Sequence, residues 1–197
     1  MYPISSLEMI STSRCMVHLD GGDSFPLYKK ELALYGISVG AEISPEIYHE
    51  ITEVLLPKRA CQRAMHLLQK MDRTEYQLRK KLQESGYPLQ IIDHAIDYVK
   101  GFHYIDDVRY AWNYIDFRKH DQSRRQIMMA LQEKGISDTD IQAALDETDF
   151  PDEIDQIQKW KEKKHYCSET ADLREKQKFY QFLLRKGYSA SSIRKVL

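Results

Sequence analysis

The chain has 197 residues, 42% hydrophobic and 30% charged, with a formal net charge of −1. This supports a packed core under a solvated exterior, and it excludes a nucleic-acid binder that works by total charge, leaving only a local basic face. Cys15, Cys61 and Cys167 are too few and too scattered for a disulfide framework or a CxxC metal site, and no stretch approaches the roughly 18 apolar residues of a membrane span. With no signal-peptide core at the N-terminus, the expectation is a cytoplasmic protein with no membrane partner.

Four of the eight glycines and four of the six prolines lie before residue 60. There Cys15 to Leu19 and Ser24 to Leu27 flank Asp20-Gly21-Gly22-Asp23, a hairpin signal because glycine accepts the positive φ of tight turns. Pro26 places its strand at an edge or ends it. A short helix is predicted over 28–35, stopping at Gly36, and Ser44-Pro45-Glu46 reads as a helix start with proline at the first position. Residues 1–57 are therefore expected to form a small hairpin-containing cap.

From about residue 58 the pattern is helical, and one motif recurs three times. Leu82, Gly86, Tyr87, Ile92 and Ile96 share their spacing with Leu131, Gly135, Ile136, Ile141 and Leu145, and again with Leu183, Gly187, Tyr188, Ile193 and Leu197. With each glycine as the left-handed residue after a helix, the leucine and the residue after the glycine make the hydrophobic contact of a Schellman stop. Ser137 and Ser189 then stand as N-caps of the following helix, with Pro88 in that slot in the first copy. The i,i+4 pairs beyond face the core.

The first helix of each copy is less regular. In the first, Ala64, Leu67, Leu68 and Met71 are apolar; in the third, Ile154, Ile157 and Trp160. In the second, Val108, Ala111, Trp112 and Ile115 are expected on one face, with Tyr110, Tyr114 and Phe117 beside it. The fold class is mainly α: an elongated array of three tandem three-helix repeats, 58–101, 102–149 and 150–197, behind the cap. The acidic segment 146–152 containing Pro151 is the expected joint between the last two.

Four stretches are similar to the RecX family, regulators of the bacterial RecA recombinase: Arg73 to Leu82; Ile105-Asp106-Asp107-Val108-Arg109-Tyr110-Ala111; Gln126 to Ile136; and Leu183 to Leu197. Their order adds specificity that no single one has. Lys119-His120-Asp121 departs from the family, which tends to have glycine before the second-repeat helix. The resemblance implies three three-helix repeats that lie in the groove of a RecA–DNA filament and restrain its activities, with inhibition the expected direction and DNA repair and the SOS response as the output.

No catalytic constellation emerges: there is no P-loop, GxGxxG, HExxH or GxSxG. Gly187-Tyr188-Ser189-Ala190-Ser191 lacks the last glycine of a nucleophile elbow and reads better as a helix stop with an N-cap serine. Glu162 and His165 alone do not make a metal site. Asp106 and Asp107 read as N-terminal capping of a helix rather than a carboxylate pair. No enzyme activity, metal or cofactor is expected. Architectural roles fall to Leu82, Gly86, Tyr87, Asp106, Asp107, Tyr110, Leu131, Gly135, Ile136, Leu183, Gly187 and Tyr188.

Helix–glycine turn–helix units also suggest DNA-reading helix-turn-helix motifs, but the third helices of the first two copies carry carboxylates such as Asp93, Asp97, Asp138 and Asp140, which phosphate repels. The second helices are basic instead. Arg73, Arg79, Lys80, Lys81, Arg124, Arg125, Lys176, Arg185 and Lys186, with Lys178, are the candidate partner-binding stripe. Met128 and Met129 take the slots of Arg79 and Lys80 and are expected in contact with another repeat or a partner. The expected partner is the RecA filament, with DNA contacted indirectly or weakly by a monomer. The alternative is an autonomous DNA-binding module using the same stripe, and a general helical interaction scaffold is a third possibility.

Overall fold

A computed structural model describes residues 1–197, which divide into two compact units, 1–106 and 107–197. The first opens with β1 (Tyr2–Met9), β2 (Arg14–Leu19) and β3 (Ser24–Tyr28), then α1 (Lys29–Leu34), β4 (Glu42–Ile43) and α2 (Pro45–His49). The sheet order is β3-β2-β1-β4, antiparallel throughout, and the hairpin register pairs Val17 with Phe25 across the glycine turn. Pro26 sits in the edge strand, where its missing N–H breaks no ladder. Gly36 closes α1 with φ +64°, and Ser44 caps α2 by accepting from the Ile47 N–H.

A π-helical stretch, Glu50–Leu55, carries α2 directly into α3 (Leu56–Lys70), so Pro57 lies inside a continuous helical run, at the junction of its π and α segments. The Leu56 N–H still reaches back to Ile51 O, and the switch from π to α pairing falls where proline has no N–H to donate. Then come α4 (Glu75–Glu84) and α5 (Leu89–Gly101). The inward residues of the sheet (Ile4, Val17, Leu19, Phe25, Leu27) share one core with Ile51, Leu56, Ala60, Ala64, Leu78, Leu82, Ile92 and Ile96.

The second unit holds α6 (Asp107–Arg118), α7 (Arg124–Glu133), α8 (Asp138–Asp146), α9 (Glu153–Lys163), α10 (Leu173–Arg185) and α11 (Ala190–Val196). Two cores serve it. One joins Ala111, Ile115, Ile127, Leu131, Ile136, Ile141, Ala144 and Leu145; the other joins Ile157, Phe179, Leu183, Tyr188, Ile193 and Val196. The apolar face of α6 differs from the expected one. Tyr110 and Tyr114 flank Ala111 and Ile115 against the core, while Val108, Trp112 and Phe117 are exposed. The buried stripe is 110/111/114/115 because Ala111 and Ile115 share a core with Ile141, Ala144 and Leu145 of α8, and the two tyrosines pack against that core. Met128 packs against this core and Met129 is exposed.

The three glycine stops are Schellman motifs in hydrogen-bond detail. Tyr87 N–H donates to Leu82 O and Gly86 N–H to Gln83 O; Ile136 and Gly135 donate to Leu131 and Gln132, and Tyr188 and Gly187 to Leu183 and Leu184. All three glycines have φ between +80° and +86°. Two further stops use histidine: His103 ends α5 and His165 ends α9, at φ +56° and +51°, each followed by a tyrosine whose N–H reaches back to Val99 or Lys161. The turn at Lys119-His120-Asp121 contains no left-handed residue; Asp121 and Gln122 both donate to Arg118 O.

Candidate functional site

Each second helix starts on a firm cap. Thr74 and Asp172 form capping boxes with Gln77 and Glu175, and Ser123 accepts from the Gln126 N–H. Asp107 is the first residue of α6, where its charge suits the helix N-terminus, and Tyr110 lies against the core. Ser189 caps α11 by accepting from Ser192 N–H and donates to Glu153 at 2.7 Å, so the near-elbow sequence is occupied as a cap. His165, paired with Glu162 in the sequence, is a helix stop, and no group of three or more His, Cys, Asp or Glu side chains is placed to hold a metal. No helix is long and apolar enough to cross a membrane.

Charge on the second helices divides into compensated and uncompensated groups. Arg79 is clamped between Glu75 at 2.7 Å and Asp93 of α5 at 2.5 Å, while Lys100 pairs with the same Glu75. Burial alone would raise the Glu75 pKa, but hydrogen bonds from Lys100 and Arg79 outweigh it and hold the carboxyl below its ordinary range. Lys81 pairs with Glu84 at 2.7 Å, and Lys80 is exposed with no ion pair. Arg73 lies before the cap rather than on the helix, half-buried, with its Nε lacking any hydrogen-bond partner.

In the second repeat Arg124 reaches Asp146 of α8 at 3.4 Å and lies over the Phe150 ring, whereas Arg125 is exposed without an ion pair. Basic second helix and acidic third helix thus neutralise each other in both repeats, Arg79 with Asp93 and Arg124 with Asp146. The third repeat has no such acid, since α11 carries Arg194 and Lys195. Arg174, Lys176, Lys178 and Arg185 of α10 form no ion pairs. Lys186 lies over the Trp160 and Phe182 rings, 4.9 and 5.9 Å from their centroids.

The candidate cations occupy different levels of their helices. Arg124 and Lys176 stand near the start, Arg79, Lys80 and Lys81 in the middle, and Arg185 and Lys186 at the end. Within the second unit, however, the start of α7 and the end of α10 meet. The Ser123 hydroxyl donates to Lys186 O at 2.6 Å, and a Cβ built on Gly187 would fall 3.2 Å from the Arg125 Cβ. Buried Gln156 makes a second tie between these repeats, donating to Lys119 O at 2.6 Å. Arg125 and the Arg185–Lys186 end are thereby brought side by side. Sequence reasoning missed another basic group, Arg14, Arg59 and Arg63; the spacing of Arg59, Arg63 and His66 on one face of α3 was the available signal.

The fold is that of a tandem three-helix repeat protein in which stops, caps and charge pairs recur. Three family models match in sequence: the first three-helix domain of RecX over 60–98, the second over 106–145 and the third over 151–197. The regulatory protein RecX of Clostridium perfringens (strain 13) is 31% identical over 193 residues, covering 95% of this chain and 91% of that one. That of Clostridium acetobutylicum is 30% identical over 189 residues, covering 93% and 88%. A crystal structure of a regulatory protein RecX superposes with a TM-score of 0.67 at 26% identity over 100% of this chain and 98% of that one. RecX from Lactobacillus salivarius shares the fold, with a TM-score of 0.63 at 23% identity over 72% of this chain and 94% of that one. The chain belongs to the RecX family of regulatory proteins.

Proposed function

We propose that this chain is a non-enzymatic cytoplasmic regulator that binds, as a monomer, along the groove of a RecA–DNA filament and inhibits its recombinase activity, and with it DNA repair and SOS output. The observation that carries the reading is the set of cations the fold leaves uncompensated: Arg125, Lys178 and Arg185, with Lys80 in the first repeat. Arg124 and Arg125 moreover occupy the first turn of α7, where the helix dipole disfavours positive charge. A local rule broken at an exposed, well-capped helix start fits a contact with an acidic surface or phosphate. DNA contacts are secondary in this reading, and the compensated Arg79 and Arg124 serve chiefly to hold second and third helices together.

Co-sedimentation with RecA filaments on single-stranded DNA, alongside strand-exchange assays, tests this. Charge reversal of Lys80, Arg125, Lys178 and Arg185 together should abolish binding and inhibition with helicity intact; unchanged inhibition removes these residues from the mechanism. Salt-titrated DNA binding without RecA separates the autonomous DNA-binding reading, which requires tight binding with a steep salt slope.

A further inference from the structure

The first unit contains a basic cleft that the filament reading does not use. It has a volume of about 380 Å³ and lies between the sheet and α3. Arg14, at the start of β2, lines one wall, and Arg63 and His66 of α3 the other. Arg59, also lining it, is paired with Glu31 and stacked 4.7 Å from the centroid of the Tyr28 ring. Arg63 and His66 are exposed and have no hydrogen bond or ion pair, and the only bond of Arg14 is a long one, 3.4 Å, to Ser85 O.

Tyr87 forms part of the lining. Its ring is buried, the residue being only 6% exposed, while its hydroxyl makes no hydrogen bond within the protein and opens to the cleft. Burial raises its pKa, and Arg59, Arg14 and Arg63, which line the same cleft, pull the other way. Three guanidiniums therefore line one cleft with Glu31 as their single carboxylate partner, which leaves Arg14 and Arg63 uncompensated.

Such convergence suits a ligand with several charges and many acceptor oxygens in one place. A lone carboxylate brings one charge and two oxygens, and a nucleic-acid strand spreads single charges along its length; a di- or triphosphate concentrates them. The half-exposed Tyr28 ring beside the cleft adds an aromatic face suited to a base. We propose that this cleft binds a nucleoside di- or triphosphate, with the polyphosphate held by Arg14, Arg63, His66 and the Tyr87 hydroxyl and the base against Tyr28. The site stands apart from the filament-binding reading and survives its failure.

Calorimetric titration of the full chain with ADP, ATP, pyrophosphate, adenosine and a short oligothymidylate tests it. ADP, ATP and pyrophosphate should each saturate one site, and adenosine should not bind. Arg63→Gln and Arg14→Gln should each weaken ADP by about tenfold or more, the scale of a lost charge-assisted hydrogen bond. Tyr28→Leu should weaken ADP more than pyrophosphate, and Lys159→Gln, at an exposed residue of α9, should change neither. The proposal is overturned if no phosphate ligand saturates below about 1 mM, or if Arg63→Gln leaves ADP affinity unchanged. It is equally overturned if the oligonucleotide binds through these arginines and ADP does not compete, which would make the cleft a nucleic-acid contact.

Discussion

The Ser123 hydroxyl donates a 2.6 Å hydrogen bond to Lys186 O while accepting from the Gln126 N–H, so one fully buried side chain both caps α7 and ties it to the stop of α10. Ser123→Ala removes both bonds and leaves a part-buried carbonyl without this partner. The expected cost is about 1–2 kcal/mol, the sum of a lost cap and a partly desolvated acceptor left without its donor. Urea denaturation measures it, and a loss below about 0.5 kcal/mol would show that the tie between the repeats is energetically idle.

Gly86 and Gly187 have nearly equal φ but different neighbours. A Cβ on Gly187 would fall 2.7 Å from the Ser123 Oγ, which its hydrogen bonds hold in place; one on Gly86 would fall 2.7 Å from the terminal methyl of Met16, the flexible end of a side chain. Gly86→Ala should therefore cost little beyond the left-handed strain of about 1–2 kcal/mol, and Gly187→Ala clearly more. Gly187→Ala in a Ser123→Ala background should be less than additive. Equal costs at the two glycines would refute the steric argument.

These contacts mark where sequence reading stops. The glycine helix stops were legible because every partner of a Schellman motif lies within six residues, and so were the helix starts at Ser44, Ser137 and Ser189. What each stop packs against was not, since Met16 is far from Gly86 in the chain and Ser123 far from Gly187. β1 escaped because only Ile4 of its eight residues is buried, leaving no alternation to read. The strip 50–55 escaped because its π-helical turn, followed by Pro57, interrupts the 3.6-residue period. The stripe was visible as composition, but Arg79–Asp93 and Arg124–Asp146 depend on how helices pair, and only those pairs show which cations remain free.

The Glu75 carboxyl, shared by Arg79 and Lys100, has a folded pKa below its ordinary value. The unfolded chain therefore binds the extra proton first, and stability is gained as pH rises through the window beneath the normal glutamate pKa of about 4.3. It is fully present above that value and lost as pH falls through the folded pKa. Glu75→Gln should flatten this part of the profile of urea midpoint against pH, and a profile of unchanged slope below pH 4.3 would remove Glu75 from the acid response.

Cys167 is exposed, and hydrogen bonds from the Thr170 side chain and the Glu169 and Thr170 backbone N–H groups lower its thiol pKa; Cys15 and Cys61 are buried, and burial raises the Cys61 pKa. The native protein should react rapidly at one thiol, with a rate that levels off at lower pH than for a free cysteine, whose pKa is about 8.5. The other two should react only on unfolding. Cys167→Ser should abolish the fast phase, and a fast phase surviving that change would show that one buried thiol is transiently accessible.

His165 ends α9 at φ +51° where four other stops, at Gly36, Gly86, Gly135 and Gly187, use glycine. Left-handed backbone costs a residue with a Cβ about 1–2 kcal/mol, and replacing it by glycine returns part of that gain as unfolded-state entropy, about 0.5–1 kcal/mol. His165→Gly should therefore raise stability, by about 0.5–1 kcal/mol, without altering the fold. The Schellman bonds at this stop run through the main chain, from Tyr166 N–H to Lys161 O and from His165 N–H to Glu162 O, so glycine can keep both. Thermal melts of the two proteins decide the sign. A lowered midpoint would mean that the imidazole makes a contact worth more than the strain it imposes.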